Sequence, residues 1–568
     1  MLLCPRRSVV LFLLLAILPP VHAEPVDYEM VNRIRHEGLQ RSQVMETLRG
    51  LTDGFGARLT ASPALRDAGA WTESRFRDWG VARTWQEPFA FGEGWSYSNA
   101  TVKGIAPFTG PMRALPQAWT VGTDGPVRGE AMKAKLETEK DFDALRGKIR
   151  GKILVLEPNP ANVRGGPPPE VVKDPTLERP FRRYDAQTLE DLATYRISPE
   201  ADPNFVDSIR TRWSFTEARN RFLQEEGALA TIERSTRLSG ILWVTGGGGG
   251  GWPERARGVP GLVMSFEHFN RIMRTLEQGQ PVELEIDVAA RFHDDAGPPA
   301  NVLAEIPGSD RSGEIVLAGA HLDSWHAATG TTDNAAGVAV VMEAARILTA
   351  LGVKPKRTIR FALWAGEEQG LIGSRAYVRE HIATRPAPEE EALKALPNHL
   401  WPATWPITPK PGHARYSAYF NLDNGSGRIR GIYAQDNAAA VPVFRAWLEP
   451  FADLGATTVT TRGTRGTDHV SFDEVGVPGF QFIQDGLAYM SRTWHTDLDT
   501  FDHGLREDLM QSATIMASFL YHAAIRPERL PRKPLPEAPP KPAVEPAADA
   551  DAPAEAAAPA VETPAPAG

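Results

Sequence analysis

The pattern of apolar and polar positions from residue 301 onward predicts buried strands that alternate with helices. Continuous apolar runs predict four strands, at residues 315–320, 358–364, 416–422 and 479–483. Between the first two runs, apolar side chains at helical spacing predict a helix. They are Val338, Val341, Met342, Ala345 and Leu348. Strands that are apolar throughout belong to sheets covered on both faces. The expected fold is therefore α/β, with a doubly wound, largely parallel or mixed sheet.

The chain before this region has a different pattern. Residues 51–80 predict a turn followed by an amphipathic helix, and residues 118–290 look like a separate module. Within that module, apolar runs predict strands at residues 152–156 and 259–264. The glycine run at residues 246–251 lacks the Lys-Ser/Thr pair of a phosphate-binding loop, so a flexible loop is expected there.

The two ends of the chain are expected to lie outside the folded domains. Residues 1–23 combine arginines, a short apolar run and small residues, which is the pattern of a secretory signal peptide. After a final helix at residues 506–524, residues 531–568 consist mostly of Pro, Ala and Glu and predict a disordered tail. A further segment, residues 385–411, lacks periodicity and is expected to be a surface loop. We therefore expect a secreted or periplasmic protein without a stable membrane anchor.

Composition excludes some classes of function. The formal net charge is -9 over 568 residues, and no basic run suggests nucleic acid. The single cysteine, Cys4, precedes the apolar run of the expected signal peptide. The mature chain would therefore have neither a disulfide nor a catalytic thiol.

Five side chains of metal-binding type follow predicted strands or lie on the loops beyond them. They are His321, Asp333, Glu368, Asp423 and His495. Each alone has an ordinary explanation, such as a buried histidine, a helix cap or a solvated turn. Because ligands gather at the carboxyl ends of parallel strands, the five together predict a site for two divalent ions.

Two further carboxylates adjoin these residues. Glu367 directly precedes Glu368 and could take a proton from a metal-activated water as a general base. Asp323 points the same way as His321 in an extended chain and is expected to fix the tautomer of that imidazole. The chemistry predicted from these residues is metal-assisted hydrolysis.

The sequence around these positions resembles the M28 metallopeptidases, in the branch that contains carboxypeptidase Q. The resemblance rests on the segments His321-Leu322-Asp323-Ser324-Trp325, Thr332-Asp333-Asn334-Ala335-Ala336-Gly337, Glu367-Glu368-Gln369-Gly370, Asn421-Leu422-Asp423 and His495-Thr496. It implies an aminopeptidase-like zinc-exopeptidase fold. Residues 24–117 and 291–530 would form the peptidase domain, and residues 118–290 a β-rich inserted protease-associated (PA) domain.

The resemblance also implies roles for individual residues. His321 and Asp423 would hold one of two zinc ions, Glu368 and His495 the other, and Asp333 would bridge them. Glu367 would be the general base. The stretch that ends in His469 resembles a family segment near the scissile carbonyl, so His469 is a candidate for oxyanion stabilisation.

The function implied is a zinc-dependent exopeptidase that acts on short peptides or dipeptides. A carboxypeptidase Q-like dipeptidase and an aminopeptidase share these ligands, and the Asp323-Ser324-Trp325 extension slightly favours the former. A non-catalytic receptor-like relative is disfavoured because all five ligands and Glu367 are present. A glutaminyl cyclase is disfavoured by the inserted module. The sequence does not determine whether the enzyme acts at the N-terminal or the C-terminal end of a peptide, or whether it forms a homodimer.

Overall fold

The computed structural model describes residues 24–158, 183–194, 205–295 and 297–539. The expected signal peptide and residues 540–568 of the expected tail lie outside the described residues, whereas residues 531–539 of that tail are described and Lys533 Nζ donates to Asp473 Oδ2 at 2.8 Å. Among the helices that the structure describes, none combines the length and apolar character needed to cross a membrane.

The described strands form two eight-stranded sheets and one two-stranded sheet. In chain order they are β1 (Arg83–Pro88), β2 (Gly94–Ala106), β3 (Gly110–Met112), β4 (Ala114–Pro116), β5 (Val127–Ala134), β6 (Lys152–Leu156), β7 (Ala230–Arg234), β8 (Gly261–Met264), β9 (Glu283–His293), β10 (Ala300–Ile306), β11 (Arg311–His321), β12 (Arg357–Trp364), β13 (Ala383–Thr384), β14 (Thr408–Pro409), β15 (Tyr416–Asn421), β16 (Ile429–Tyr433), β17 (Thr458–Thr460) and β18 (Gly479–Gln484). Strands β13 and β14 pair only with each other.

The described helices are α1 (Tyr28–Gln40), α2 (Val44–Arg49), α3 (Pro63–Asp78), α4 (Asp141–Leu145), α5 (Ala186–Ala193), α6 (Phe205–Glu226), α7 (Phe266–Glu277), α8 (Ala336–Ala350), α9 (Ile372–His381), α10 (Glu391–Lys394), α11 (Val441–Leu448), α12 (His469–Asp473) and α13 (Arg506–Ile525). Short 3₁₀ or π turns lie at Gly50–Phe55, Gly249–Gly251, Thr331–Ala335, Asn398–Leu400, His413–Arg415, Ala438–Ala440, Glu449–Leu454, Tyr489–Thr493 and Phe501–His503.

The first sheet contains the four strands predicted after residue 301. Its eight strands follow the order β1-β10-β12-β11-β15-β18-β16-β17. The neighbours β12, β11, β15 and β18 run parallel, whereas β1–β10, β10–β12 and β16–β18 are antiparallel pairs. The sheet is therefore mixed, with a parallel centre, and the predicted α/β class is confirmed.

Helices cover both faces of this sheet. The predicted helix forms as α8, whose residues from Ala336 to Leu348 are all buried, and it packs with α13 and α1–α3 in one large core. Tyr377 of α9 and Phe472 of α12 belong to the core on the opposite face. Burial on both faces explains why these strands are apolar throughout.

The strands of the second sheet come between β1 and β10 in the sequence. β1 and β10 themselves pair with each other in the first sheet. The strand order of the second sheet is β3-β2-β9-β5-β6-β7-β8-β4, and we call residues 94–293 the insertion. Its boundary differs from the predicted residue 118, because β2 pairs along its length with β9. The polar character of β2 concealed this pairing. Helix α7 packs on one face of the insertion, and α4 and α6 pack on the other.

The glycine run that was predicted to be a flexible loop lies within the insertion and is packed closely against neighbouring backbone. A Cβ atom on Gly248 would lie 1.5 Å from the carbonyl oxygen of Trp119, and one on Gly251 would lie 2.5 Å from that of Glu93. Only glycine allows this approach of one backbone to another. The run is therefore a packing feature of the insertion.

Candidate metal centre

Neighbouring strand ends bring the five candidate ligands to one edge of the first sheet. His321 ends β11, and Glu368 follows β12, its parallel neighbour. Asp423 follows β15 on the other side of β11, and His495 lies on the loop beyond β18. Asp333 lies on the turn before α8. This edge is where parallel sheets bind ligands.

The five side chains form two groups that share Asp333. In the first group, His321 Nε2 lies 3.3 Å from Asp333 Oδ1 and 3.4 Å from Asp423 Oδ1. In the second, His495 Nε2 lies 3.3 Å from Asp333 Oδ2 and 3.0 Å from Glu368 Oε2. The two oxygens of Asp333 thus face different groups, which is the arrangement of a carboxylate that bridges two cations.

The donor atoms fit divalent metal ions. Several are buried and have no hydrogen-bond partner among the described residues: His321 Nε2, Asp333 Oδ2, Asp423 Oδ1 and Glu368 Oε1. Each unpaired buried polar atom costs about 1–3 kcal/mol. Imidazole nitrogens combined with carboxylate oxygens suit zinc in particular. Cations in the two groups would therefore satisfy atoms that the protein leaves unpaired.

Mutual charge effects shift the pKa values in these groups. Burial opposes protonation of His495, but Glu368 and Asp333 outweigh burial and raise its pKa to about 9. Burial, together with Asp333, raises the pKa of Glu368 to about 7. Burial also works against ionisation of Asp333, but the two histidines prevail and lower its pKa. Bound cations would replace the protons that His495 and Glu368 otherwise hold and would balance the negative charge of the buried carboxylates.

Asp323 holds His321 in a different way from that expected. The Nδ1 atom of His321 lies 2.9 Å from the backbone carbonyl oxygen of Asp323 and 3.7 Å from its carboxylate. The carboxylate instead accepts the backbone N–H groups of Glu367 and Glu368, each at 3.2 Å, and the hydroxyl of Thr60 at 3.0 Å. Asp323 therefore fixes the turn that carries both glutamates.

Glu367 lies beside the first group with its carboxyl buried. Burial, with Asp423 and Asp468 nearby, raises the pKa of Glu367 well above its ordinary value, although His321 opposes the shift. A carboxyl group whose pKa is raised holds a proton more readily than an ordinary glutamate, which suits a group that must accept and return one.

Two residues that support the Asp333 turn were missed from the sequence. Asp499 accepts hydrogen bonds from Thr332 N at 2.7 Å, Thr332 Oγ1 at 2.8 Å and Asp333 N at 3.1 Å. Arg58 is fully buried and donates to carbonyl groups between Leu322 and Gly330. An acid four residues after His495 was the available signal for Asp499. Arg58 had none, because the partners that link it to the Asp333 turn are distant in sequence.

The surroundings of His469 bear on its expected role near the scissile carbonyl. This residue begins α12 and is buried, and its Nε2 lies 3.0 Å from the carbonyl oxygen of Thr464. Burial lowers the pKa of His469 to about 4, so the imidazole is neutral at physiological pH. The preceding Asp468, which the sequence analysis did not single out, is also buried, and burial raises its pKa to about 7.

The opening beside the second group is narrow and partly aromatic. Its lining includes Trp325, Ala327, Ala328 and Thr496 in addition to Asp333, Glu368 and His495. Trp494 stacks on the His495 ring with 3.9 Å between centroids. His399, from the segment predicted to be a surface loop, lies 3.3 Å from the position that a Cβ atom would take on Gly370. That segment therefore reaches the turn that carries Glu367 and Glu368.

Comparison with known proteins finds a family match within the C-terminal half of the chain. Residues 301–520 match the profile of Peptidase family M28. Carboxypeptidase Q of Bos taurus is 24% identical over 501 residues, which are 87% of this chain and 88% of the relative. Carboxypeptidase Q of Xenopus laevis is 32% identical over 258 residues, which are 45% of this chain and 50% of the relative.

Solved structures share the fold. The peptidase M28 precursor from Shewanella amazonensis SB2B has a TM-score of 0.60 at 23% identity, covering 90% of this chain and 99% of that chain. BSAP, a zinc aminopeptidase from Bacillus subtilis, has a TM-score of 0.51 at 17% identity, covering 85% and 95% respectively. At these identities the comparison establishes the architecture, including the expected aminopeptidase-like fold.

Proposed function

We propose that the chain, whose residues 301–520 match peptidase family M28 and which is similar to carboxypeptidase Q, is a zinc-dependent exopeptidase acting on short peptides. The observation that carries the proposal is the position of Asp333, whose two oxygens face two separate groups of ligand atoms. The N-terminal pattern of residues 1–23 further leads us to propose that the protein is exported.

The ligand assignment follows the two groups. His321 and Asp423 would hold one zinc ion, His495 and Glu368 would hold the other, and Asp333 would bridge them. What bound zinc supplies is polarisation of the scissile carbonyl and a lower pKa for the attacking water. The protein contributes fixed positions for the ligands and excludes bulk water by burying them.

Glu367 is proposed to move the proton. It would accept a proton from the attacking water and pass it to the nitrogen of the amine that leaves. The backbone N–H groups of Glu367 and Glu368 donate to the carboxylate of Asp323, which fixes the turn that carries both glutamates. On this turn Glu367 would transfer the proton and Glu368 would bind zinc. His469 is a candidate to donate a hydrogen bond to the oxygen of the scissile carbonyl. Because its Nε2 is already bonded to Thr464 O, the side chain would have to move before it could do so.

Exopeptidase specificity is supported by the narrow opening. Trp325 and Trp494 lie directly against His495, so only a small part of a substrate can pass beyond the ligands. The similarity to carboxypeptidase Q over 87% of the chain favours dipeptide hydrolysis, whereas the zinc aminopeptidase fold of BSAP supports release of N-terminal residues as the second candidate.

A peptide library analysed by mass spectrometry tests this proposal. The same short sequences would be supplied unblocked, acetylated at the N-terminus, amidated at the C-terminus, and blocked at both ends. A carboxypeptidase Q-like enzyme should cleave unblocked dipeptides, and an aminopeptidase should reject only the acetylated forms among longer peptides. Cleavage inside doubly blocked peptides at a comparable rate would refute the exopeptidase assignment.

A further inference from the structure

The two histidines of the metal centre are held differently. The Nδ1 atom of His321 lies 2.9 Å from a backbone carbonyl oxygen. The Nδ1 atom of His495 is buried and has no hydrogen-bond partner among the residues that the structure describes. Metal-binding histidines usually have such a partner, which orients the ring. Some other contact must therefore orient His495.

Aromatic rings supply that contact. Trp494 stacks on the His495 ring at 3.9 Å, while the rings of Trp243 and Trp325 lie 5.9 Å and 6.0 Å from it. Trp243 also packs against Trp494, with 6.0 Å between their centroids. Trp243 belongs to the insertion, although none of the described residues of the insertion is a ligand in either group.

The backbone of the insertion also holds the loop of His495. Val244 N donates to His495 O at 3.0 Å, and Asp497 N donates to Leu242 O at 3.1 Å. Between these bonds, Trp243 and Thr496 form an antiparallel bridge. The two segments thus pair as a short ladder, which ties the ligand to the second sheet.

The side chain of Asp497 reinforces the ladder. Its Oδ1 accepts the backbone N–H of Leu242 at 2.9 Å, and its Oδ2 accepts from Arg113 of the insertion. His495 has a φ of 57°, a left-handed conformation that is unfavourable for a residue with a side chain. The ladder compensates for this cost by fixing the residues around His495.

We propose that Trp243 and residues 242–244 of the insertion position His495, so that the second metal group is completed only when the insertion is docked. This inference rests on the proposed role of His495 as a zinc ligand. Trp243 is a positioning residue, since it acts through His495.

Zinc content of full-length variants tests the inference. After dialysis against a competing chelator, wild-type protein should retain two zinc ions per chain. Trp243→Ala and Asp497→Ala should each retain one, with affinity at the weakened group lowered by roughly 10–100-fold. Trp243→Phe keeps an aromatic ring and should restore most of that affinity. The visible spectrum of cobalt-substituted protein should change for one of the two ions only.

Trp213→Ala is the matched control. Trp213 is another tryptophan of the insertion, and its ring contacts Arg255 and His399 but no residue of the two groups. This variant should retain two zinc ions. If Trp243→Ala does not fold, Asp497→Ala decides the matter. Unchanged zinc affinity in the folded Trp243→Ala or Asp497→Ala variant would overturn the inference alone, whereas wild-type protein without zinc would overturn the proposed function as well.

Discussion

Replacing Arg58 by methionine should destabilise the protein and loosen the loop between His321 and Asp333. Arg58 is fully buried and donates to Leu322 O at 2.8 Å, Thr329 O at 2.7 Å and Gly330 O at 3.0 Å. Two further bonds reach carbonyl groups of its own segment, Leu51 O at 3.2 Å and Gly56 O at 2.8 Å. The guanidinium thus joins two parts of the chain beneath the metal centre.

The size of the effect follows from what Arg58→Met leaves behind. Methionine fills similar space but donates no hydrogen bond, and three of the abandoned carbonyl groups lie in fully buried surroundings. Each unpaired buried acceptor costs about 1–3 kcal/mol. Removal of a buried charge, whose desolvation lowers the pKa of Arg58 to about 10, offsets part of this cost. We expect a net loss of about 3–5 kcal/mol in the free energy of unfolding.

Urea unfolding of metal-free protein measures this loss, and a zinc titration measures the accompanying fall in affinity. Arg66→Ala is the control, since the Arg66 side chain is 54% exposed and pairs with Asp67 at the surface. That change should alter stability by less than about 1 kcal/mol. A loss below about 1 kcal/mol for Arg58→Met would show that water replaces the guanidinium and that the reasoning is wrong.

Three further predictions concern the metal centre. Glu367→Gln should lower kcat by about 10²–10⁴-fold with zinc retained, as steady-state kinetics and elemental analysis would establish. Glu368→Gln should instead lower zinc content, and identical behaviour of the two variants would contradict the assigned roles. In metal-free protein, the wild type should lose stability relative to the Asp468→Asn and Asp499→Asn variants as pH rises from about 4 to about 7, measured by urea unfolding. Burial raises the pKa of Asp468 and Asp499 from 3.8 to about 7, so each of these carboxyl groups binds more protons in the folded state than in the unfolded state in that interval. A stability difference from the variants that stays constant across the interval would contradict this assignment.

The sequence predicted the first sheet well because its strands are buried on both faces. Continuous apolar runs mark such strands, and β11, β12, β15 and β18 all form close to the expected positions. The convergence of the five candidate ligands also followed from sequence, since each comes after a strand of the parallel centre or on the loop beyond it.

The remaining features depend on contacts between distant segments. The polar strand β2 belongs to the second sheet through its pairing with β9 and β3, so that sheet begins at residue 94, before the predicted boundary at residue 118. The carboxylate of Asp323 was expected at His321, but two backbone N–H groups from another strand end compete for it. Trp243 carries no motif at all. Its importance arises because folding brings it to His495, more than 250 residues away in the chain.

The most direct test of the central claim is a zinc titration of chelator-treated protein during hydrolysis of an unblocked dipeptide. Two groups of ligands sharing Asp333 predict no activity without metal, full activity at two zinc ions per chain, and no cleavage of the doubly blocked counterpart. Full hydrolysis of the dipeptide by protein that elemental analysis shows to be free of metal would contradict the account.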